Sequence, residues 1–154
     1  MKAIIISAIL FLFAMTVNGQ SLKTRYNVDD SKIALQGYSP VSYVDLGLAQ
    51  KGSKQFVSTH KEVKYYFTDA KQKSRFEANP DKYLPQYGGY CAFGVYAGAK
   101  FRTDPNKFLV KNGKLYLFLY DVELDAKQLW LAENNDPKLI KTANTNWAKL
   151  KNTY

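Results

Sequence analysis

The chain has 154 residues, 46% of them hydrophobic and 23% charged, which suits one globular domain with its own core. Its formal net charge of +9 comes from Lys and Arg residues spread along the chain, and without a dense basic stripe we exclude nucleic acid as a partner. The single cysteine excludes an intramolecular disulfide framework, so apolar packing has to stabilise the fold.

The N-terminal residues 1–19 have the anatomy of a secretory signal peptide. Lys2 precedes the apolar run AIIISAILFLFAMTV, and a small-residue exit ends at Gly19. The run is shorter than the ~20 apolar residues that span a bilayer, although a membrane-anchoring helix is the alternative. We therefore expect cleavage after Gly19 and export to the periplasm or the medium. For the mature protein we expect a monomer without a transmembrane segment.

The next part of the chain is polar at first and then strand-like. Residues 20–32 are predicted to form a loose lead-in, and the domain itself is predicted to span 33–150. The alternation in KIALQGYSPVSYVD predicts two short strands with a turn around Gly37 and Pro40. The segment KQFVSTHKEVKYYF predicts a hairpin with a polar tip at residues 60–62.

Helical signals follow this hairpin. Asp69 is a good N-cap with Gln72 three residues later, which predicts a helix from Ala70 to the boundary at residues 79–80. The stretch GGYCAFGVYAG has helical length, and Gly98 is placed to cap its C-terminus. We therefore predict two successive helices in this region.

The C-terminal third combines the clearest turn signal of the chain with two more helices. Asn112-Gly113 between alternating apolar runs predicts a type I′ hairpin. One helix is predicted from near Asp121, with Leu124, Leu129 and Trp130 as apolar positions. Another is predicted from Asp136-Pro137, with Ile140 and Trp147 as apolar positions. No internal repeat is visible, so we predict one α+β domain with a small antiparallel sheet and packed helices.

Several motifs resemble those of exported bacterial YHS-domain proteins. They are GYSPVSYV, KGSKQF, NGKLYLF and VKYYFTDAKQKSRFEANPDKYLPQYGGYCAFGV. The resemblance runs from about Ile33 to Trp147 and implies a single YHS-like domain of the subgroup that carries Gly-Gly-Tyr-Cys. The family is similar to metal-binding modules of the TRASH type. The positions that hold cysteine ligands in those modules are Ser42, Tyr43 and residues 68–71 here, and none of them is Cys or His.

Three interpretations of the only thiol, Cys91, stay open from the sequence. Cys91 can be a small packing residue, a reactive or metal-binding thiolate near a helix N-terminus, or one half of an intermolecular disulfide. His60 is the only imidazole, and both methionines lie in the signal segment. A soft-metal site, with copper as the cofactor, would therefore have to use Cys91 and His60.

A dense group of tyrosines surrounds the Gly-Gly pair and predicts a second kind of site. Buried tyrosine hydroxyls need partners, so such a group can line a half-wet cleft, and the glycines give a ligand access to the backbone. The residues expected to bind a ligand there are Tyr66, Tyr87, Gly88, Gly89, Tyr90 and Cys91.

Signatures of catalysis are missing from the chain. No G-x-S-x-G, H-E-x-x-H or phosphate-binding glycine loop occurs, and a nucleophile pair would have to recruit His60 across the fold. We therefore predict an exported, non-catalytic binding protein, with a soft metal such as copper as one ligand. The alternatives are a metal-free module that binds a small ligand or a partner protein in the tyrosine-rich cleft, and a Cys-dependent enzyme.

Overall fold

A computed structural model describes residues 18–153, with side chains from Leu22 onward. The predicted signal peptide therefore lies almost wholly outside the described residues. The helices are α1 (Asn18–Arg25), α2 (Ala70–Ala78), α3 (Pro80–Tyr83), α4 (Ala92–Tyr96), α5 (Ala126–Ala132) and α6 (Asp136–Leu150). The strands are β1 (Ser53–His60), β2 (Val63–Phe67), β3 (Asp104–Lys111) and β4 (Lys114–Phe118). The fold is α+β, as predicted, with two two-stranded antiparallel sheets in the described part of the chain instead of one.

Both predicted hairpins are confirmed. β1 pairs with β2, and β3 pairs with β4, each across a two-residue turn. Asn112 and Gly113 have φ values of 51° and 72°, as a type I′ turn requires. Lys61 and Glu62 take the same left-handed conformation, with φ values of 50° and 67°. The turn geometry therefore matches the twist of the strands in both hairpins.

The two strands predicted within residues 33–45 do not form. Residues 34–37 make a tight turn in which Leu35, Gln36 and Gly37 have φ values of 55°, 51° and 82°. A single π-helical turn follows at Ser42–Leu46. Three successive left-handed residues curl the chain, so the apolar alternation in this segment does not continue along a straight strand.

The predicted helices form, but several of their boundaries differ. Asp69 caps α2, since its carboxylate accepts a hydrogen bond from the Gln72 N–H at 2.8 Å. α5 begins after its N-cap Asp125, later than the predicted start near Asp121. The N-cap of α6 is Asn135 and not Asp136. The Asp121 carboxylate instead accepts from the backbone of Leu124 and closes a turn before α5.

The stretch predicted as one helix around Cys91 divides into two elements. Residues 86–89 form a second left-handed turn, with φ values of 55° at Tyr87, 61° at Gly88 and 84° at Gly89. α4 is short and begins after Cys91. The Gly-Gly pair therefore belongs to the turn and not to the helix.

These elements reveal an internal repeat that the sequence analysis missed. The turn at residues 34–37, the helical turn at 42–46 and the β1–β2 hairpin are followed by the pair α2–α3. The same order recurs as the turn at residues 86–89, α4, the β3–β4 hairpin and the pair α5–α6. We call residues 33–84 the first half and residues 85–150 the second half.

The strand register shows that the two hairpins correspond residue by residue. In β1–β2, Ser53 pairs with Phe67, and a bulge precedes the pair Val57 and Tyr66. β3–β4 repeats this pattern, with Asp104 opposite Phe118 and a bulge before the pair Phe108 and Leu117. The isolated parallel bridges Ile33 to Lys64 and Pro85 to Leu115 also correspond.

The tetrapeptide Asp-Ala-Lys-Gln occurs once in each half, at residues 69–72 and 125–128. Asp125 caps α5 just as Asp69 caps α2, by accepting from backbone N–H groups of the first turn. The large aromatic residue that follows packs on the hairpin in both halves. Ring centroids are 5.1 Å apart for Phe76 and Phe67, and 5.7 Å apart for Trp130 and Phe118. The repeat therefore includes capping and core packing as well as backbone order.

β4 separates two hydrophobic cores. The first-half core contains Leu115 and Leu117 together with Phe67 and Phe76. The second-half core contains Tyr116 and Phe118 together with Trp130. Because successive side chains of a strand point to opposite faces, one strand can be buried on both sides. The matching face of β2, which carries Lys64 and Tyr66, is not covered in this way.

The lead-in at residues 20–32 is packed and not loose. Leu22 and Val28 are 8% and 9% exposed and join the first-half core. The reason is tertiary, because the few apolar residues of the polar lead-in belong to the same core as Leu115 and Leu117 of β4. No helix within the described residues is long and apolar enough to cross a membrane.

Candidate functional site

Cys91 has a structural position. It is 1% exposed, and its Sγ accepts a hydrogen bond from the Gly94 N–H at 3.4 Å as the N-cap of α4. Burial raises the pKa of the Cys91 thiol, and the backbone hydrogen bonds around it counteract the shift only in part. Burial therefore favours the neutral thiol, which is neither the nucleophile nor the metal ligand form.

The counterpart of Cys91 in the first half is Ser39, and the two residues form equivalent hydrogen bonds. The Ser39 N–H donates to Gln50 O at 2.9 Å, and the Cys91 N–H donates to Phe101 O at 3.1 Å. The Ser39 hydroxyl accepts from the Ser42 N–H at 3.4 Å, as Cys91 Sγ does from its own helical turn. The repeat therefore supports the interpretation of Cys91 as a buried capping and packing residue.

The predicted metal pair is not brought together. His60 lies at the end of β1, with its ring 6.2 Å from that of Phe76 in the first-half core. Cys91 belongs to the second-half core. His60 Nε2 is buried without a hydrogen bond and lies 3.9 Å from Asp81 Oδ1. Among residues 22–153 no group of three His, Cys, Asp or Glu side chains is placed to hold a metal ion. These residues do not fit copper.

The tyrosines predicted to line a ligand cleft already have partners within the chain. Tyr87 is 5% exposed, and its hydroxyl donates to Asn144 Oδ1 at 3.1 Å. The Tyr90 hydroxyl donates to the carbonyl oxygens of Lys23 and Tyr26. Burial raises the pKa of both tyrosines. They act as a hydrogen-bonded framework in the described structure.

The Gly-Gly pair is approached closely, but by the lead-in. A Cβ atom on Gly88 would lie 1.8 Å from the Arg25 carbonyl oxygen. The Asn27 N–H donates to Gly88 O at 2.8 Å, and its side-chain amide donates to Gly89 O at 3.0 Å. The glycines were predicted to give a ligand access to the backbone, and the group that approaches them is the lead-in. We call this filled site the second-half groove.

The corresponding site in the first half is open. A cavity of about 430 Å³ lies over the turn at residues 34–37, and we call it the first-half groove. Its walls include the Tyr66 ring, the Ile33 side chain and Gly37. Tyr66 and Ile33 correspond to Leu117 and Pro85, which lie within 4 Å of a Cβ built on Gly89 in the second half. Of the predicted ligand-binding residues, Tyr66 alone lines this groove.

Three cationic side chains line the first-half groove. They belong to Lys51, Lys54 and Arg102. Lys51 Nζ donates to the Gln36 carbonyl oxygen and lies 4.9 Å from the centroid of the Tyr38 ring. Within residues 22–153, the side chains of Arg102 and Lys54 form no hydrogen bond or ion pair, and Arg102 acts on Asp29 through its charge alone. Lys51 and Arg102 occupy equivalent positions of the two halves.

A carboxylate at the rim does not neutralise these cations. Asp29 lines the groove and accepts hydrogen bonds from the backbone and side chain of Ser31. These bonds lower the pKa of Asp29, and the charge of Arg102 lowers it further to a smaller extent. One carboxylate facing three cations leaves the groove positive.

The groove adjoins a second depression of about 520 Å³, whose lining also includes Asp104. The two cavities share Gln36, Lys51 and Arg102. The Gln36 side-chain amide donates to the Thr103 carbonyl oxygen at 2.7 Å and so holds the two halves together at this junction. A ligand in the first-half groove can therefore extend toward Tyr38 and Asn106, which line the second depression.

Sequence reasoning missed the cations of this site. Lys51 and Arg102 are exposed residues between elements, and nothing local distinguishes them from other basic residues of this chain. The sequence signal for these cations was the repeat itself, which is visible as two similar tripeptides, Gly-Tyr-Ser at residues 37–39 and Gly-Tyr-Cys at residues 89–91. Aligning the two halves on these tripeptides places Lys51 opposite Arg102, within one residue.

The described site thus comprises one open cationic groove and one equivalent groove filled by the lead-in. Comparisons of the chain with protein-family models, with curated proteins and with solved structures gave no match.

Proposed function

We propose that this protein is an exported, non-catalytic binding module of the YHS type, and that its ligand presents an anionic group to the first-half groove. The single observation that carries the proposal is the arrangement of Lys51, Lys54 and Arg102 around a 430 Å³ cavity with an aromatic wall. A concave site that combines an apolar wall with a few convergent polar groups is the usual mark of a ligand pocket.

The chemistry of the groove favours an oxyanion. Arg102 offers a planar fork of N–H donors that fits a carboxylate or a phosphate. Lys51 and Lys54 add point charges on flexible stems. The Tyr66 ring provides an apolar surface for the part of the ligand next to the anionic group.

A copper protein and a Cys-dependent enzyme have less support. The Cys91 thiol is buried and its burial raises its pKa, and the ring of His60 lies 6.2 Å from Phe76 of the first-half core, apart from Cys91 in the second-half core. Neither arrangement supplies the accessible thiolate that copper binding or nucleophilic attack needs.

Calorimetric titration with citrate at low ionic strength tests the proposal. We expect saturable 1:1 binding to the full chain, weakened about tenfold in Arg102→Gln because a charge-assisted hydrogen bond is lost. Lys149→Gln is the matched control, since it removes one positive charge from the exposed face of α6, away from the groove. Equal weakening in both variants, or no saturable binding, would overturn the proposal.

A further inference from the structure

The filled second-half groove indicates what the open groove is shaped to hold. In the second half, residues 25–28 of the lead-in cover the turn at residues 86–89. Asn27 provides the two central contacts, through its backbone N–H and its side-chain amide. The occupant of this groove is therefore a polypeptide segment, the end of α1 and the tight turn closed by the Val28 N–H on Tyr26 O, with an amide side chain at its centre.

The first-half groove has the same acceptors in the same places. Gln36 O corresponds to Gly88 O, and Gly37 O corresponds to Gly89 O. Gln36 O receives the Lys51 ammonium, and Gly37 O receives the Gly52 N–H at 2.8 Å. A carbonyl oxygen has two lone pairs, so both can accept from a further donor.

The two grooves differ in charge. A Cβ atom built on Gly89 would lie 3.8 Å from the Asn27 Cβ atom. A Cβ atom built on Gly37 would lie 3.6 Å from Cε and Nζ of Lys51. Lys51 thus takes the place of the lead-in residue in the open groove. An incoming backbone N–H can replace the ammonium on Gln36 O, and Lys51 is then free to pair with a carboxylate of the incoming segment.

Resting on the proposed function, we propose that the ligand of the first-half groove is an acidic peptide segment of a partner protein. An Asn-like residue donates to the carbonyl oxygens of Gln36 and Gly37, and the carboxylates that follow pair with Lys51, Lys54 and Arg102. The peptide lies over Tyr66 as the lead-in lies over Leu117 in the second half. Recognition through main-chain hydrogen bonds and a few side-chain pockets is a recurrent mode of peptide binding.

The test uses the full chain and the synthetic peptide acetyl-Tyr-Asn-Val-Asp-Asp-amide. In one control peptide Ala replaces the Asn, and in the other Asn replaces both Asp residues. We expect the parent peptide to bind at least tenfold more tightly than citrate, and each control to bind about tenfold more weakly than the parent. Arg102→Gln should weaken the parent peptide about tenfold, and Lys149→Gln should leave its affinity unchanged.

The outcomes separate this inference from the proposed function. Arg102-dependent binding of citrate with no tighter binding of the peptide overturns the peptide inference and leaves the proposed function standing. Equal affinity for the parent and the Asn-to-Ala peptide also overturns it, because the contacts to Gln36 and Gly37 would then contribute nothing. Binding of neither citrate nor the peptide overturns both.

Discussion

Replacing Gly88 with alanine tests whether the lead-in closes the second-half groove as described. A Cβ atom at this position would lie 1.8 Å from the Arg25 carbonyl oxygen and 2.8 Å from its carbon. Both atoms belong to the backbone, so no side-chain rotation relieves the overlap. The variant therefore has to displace the lead-in from the turn.

The cost follows from what the displacement removes. The left-handed conformation of an alanine at φ 61° costs about 1–2 kcal/mol. The two hydrogen bonds of Asn27 contribute about 1 kcal/mol each. Leu22 and Val28 lose part of a burial worth about 1.5–3 kcal/mol for each side chain. Because the lead-in can relax without leaving completely, we expect Gly88→Ala to lower the free energy of unfolding by about 3–5 kcal/mol.

Urea unfolding measures this loss, and Gly47→Ala is the matched control. Gly47 has φ 68°, but a Cβ built on it meets no atom within 4 Å. The control should therefore lose only the conformational cost of about 1–2 kcal/mol. Limited trypsin digestion should also cut Gly88→Ala faster than the native chain at Arg25. Equal losses in the two variants, with unchanged digestion, would refute the proposed packing of the lead-in.

Three further predictions concern the repeat, the thiol and the acid limit of stability. Gln72→Ala should lower the free energy of unfolding by about 2–3 kcal/mol in urea, because buried Gln72 hydrogen-bonds the hydroxyls of Ser39 and Ser42. Gln128→Ala at the exposed counterpart in the repeat should stay within about 0.5 kcal/mol; similar losses would contradict the buried hydrogen-bond network of Gln72. Iodoacetamide should label Cys91 only after unfolding, and fast labelling of the folded chain would support a reactive thiol instead. Cys91→Ala should lower the free energy of unfolding by about 1 kcal/mol, because it removes a cap and leaves a small cavity. Hydrogen bonds from the Lys111 ammonium and, to a smaller extent, from the Trp130 N–H lower the pKa of Asp136 below 3.8. The ionised carboxylate therefore stabilises the fold at neutral pH, and this contribution is lost as the pH falls below 3.8 through the folded-state pKa. The stability difference between the native chain and Asp136→Asn, followed by thermal unfolding against pH, should therefore shrink in acid, and a difference that grows there would contradict the assignment.

Local turn and capping chemistry made a large part of this fold predictable. Asn112-Gly113 specifies its hairpin because both residues tolerate positive φ at low cost. Asp69 specifies the start of α2 because its carboxylate satisfies a free N–H of the first turn. Each of these signals lies within a few residues of the element that it defines.

The segment at residues 33–46 shows where local reasoning fails. Leu35 and Gln36 adopt left-handed backbone conformations that their side chains disfavour. Leu35 is 7% exposed, so burial of its side chain in the first-half core offsets that cost. A tertiary contact of this kind cannot be derived from the apolar alternation of the segment.

The candidate site was only partly predictable for the same reason. The Gly-Gly pair predicted that a ligand has access to the backbone at residues 88–89, where the structure places the lead-in. That the lead-in fills this groove, and leaves the equivalent groove at residues 36–37 open, depends on where residues 22–28 pack. The counterpart of Gly88 is Gln36, an exposed residue whose side-chain amide donates to the Thr103 carbonyl oxygen.

Backbone amide chemical shifts during a citrate titration test the central claim most directly, since they locate an anion in one of the two equivalent grooves. The account predicts saturable shifts for Gly37, Gly52 and Arg102, with unchanged signals for Gly88 and Gly89, which the lead-in covers. Shifts centred on Gly88 and Gly89 that leave Gly37 unchanged would contradict it.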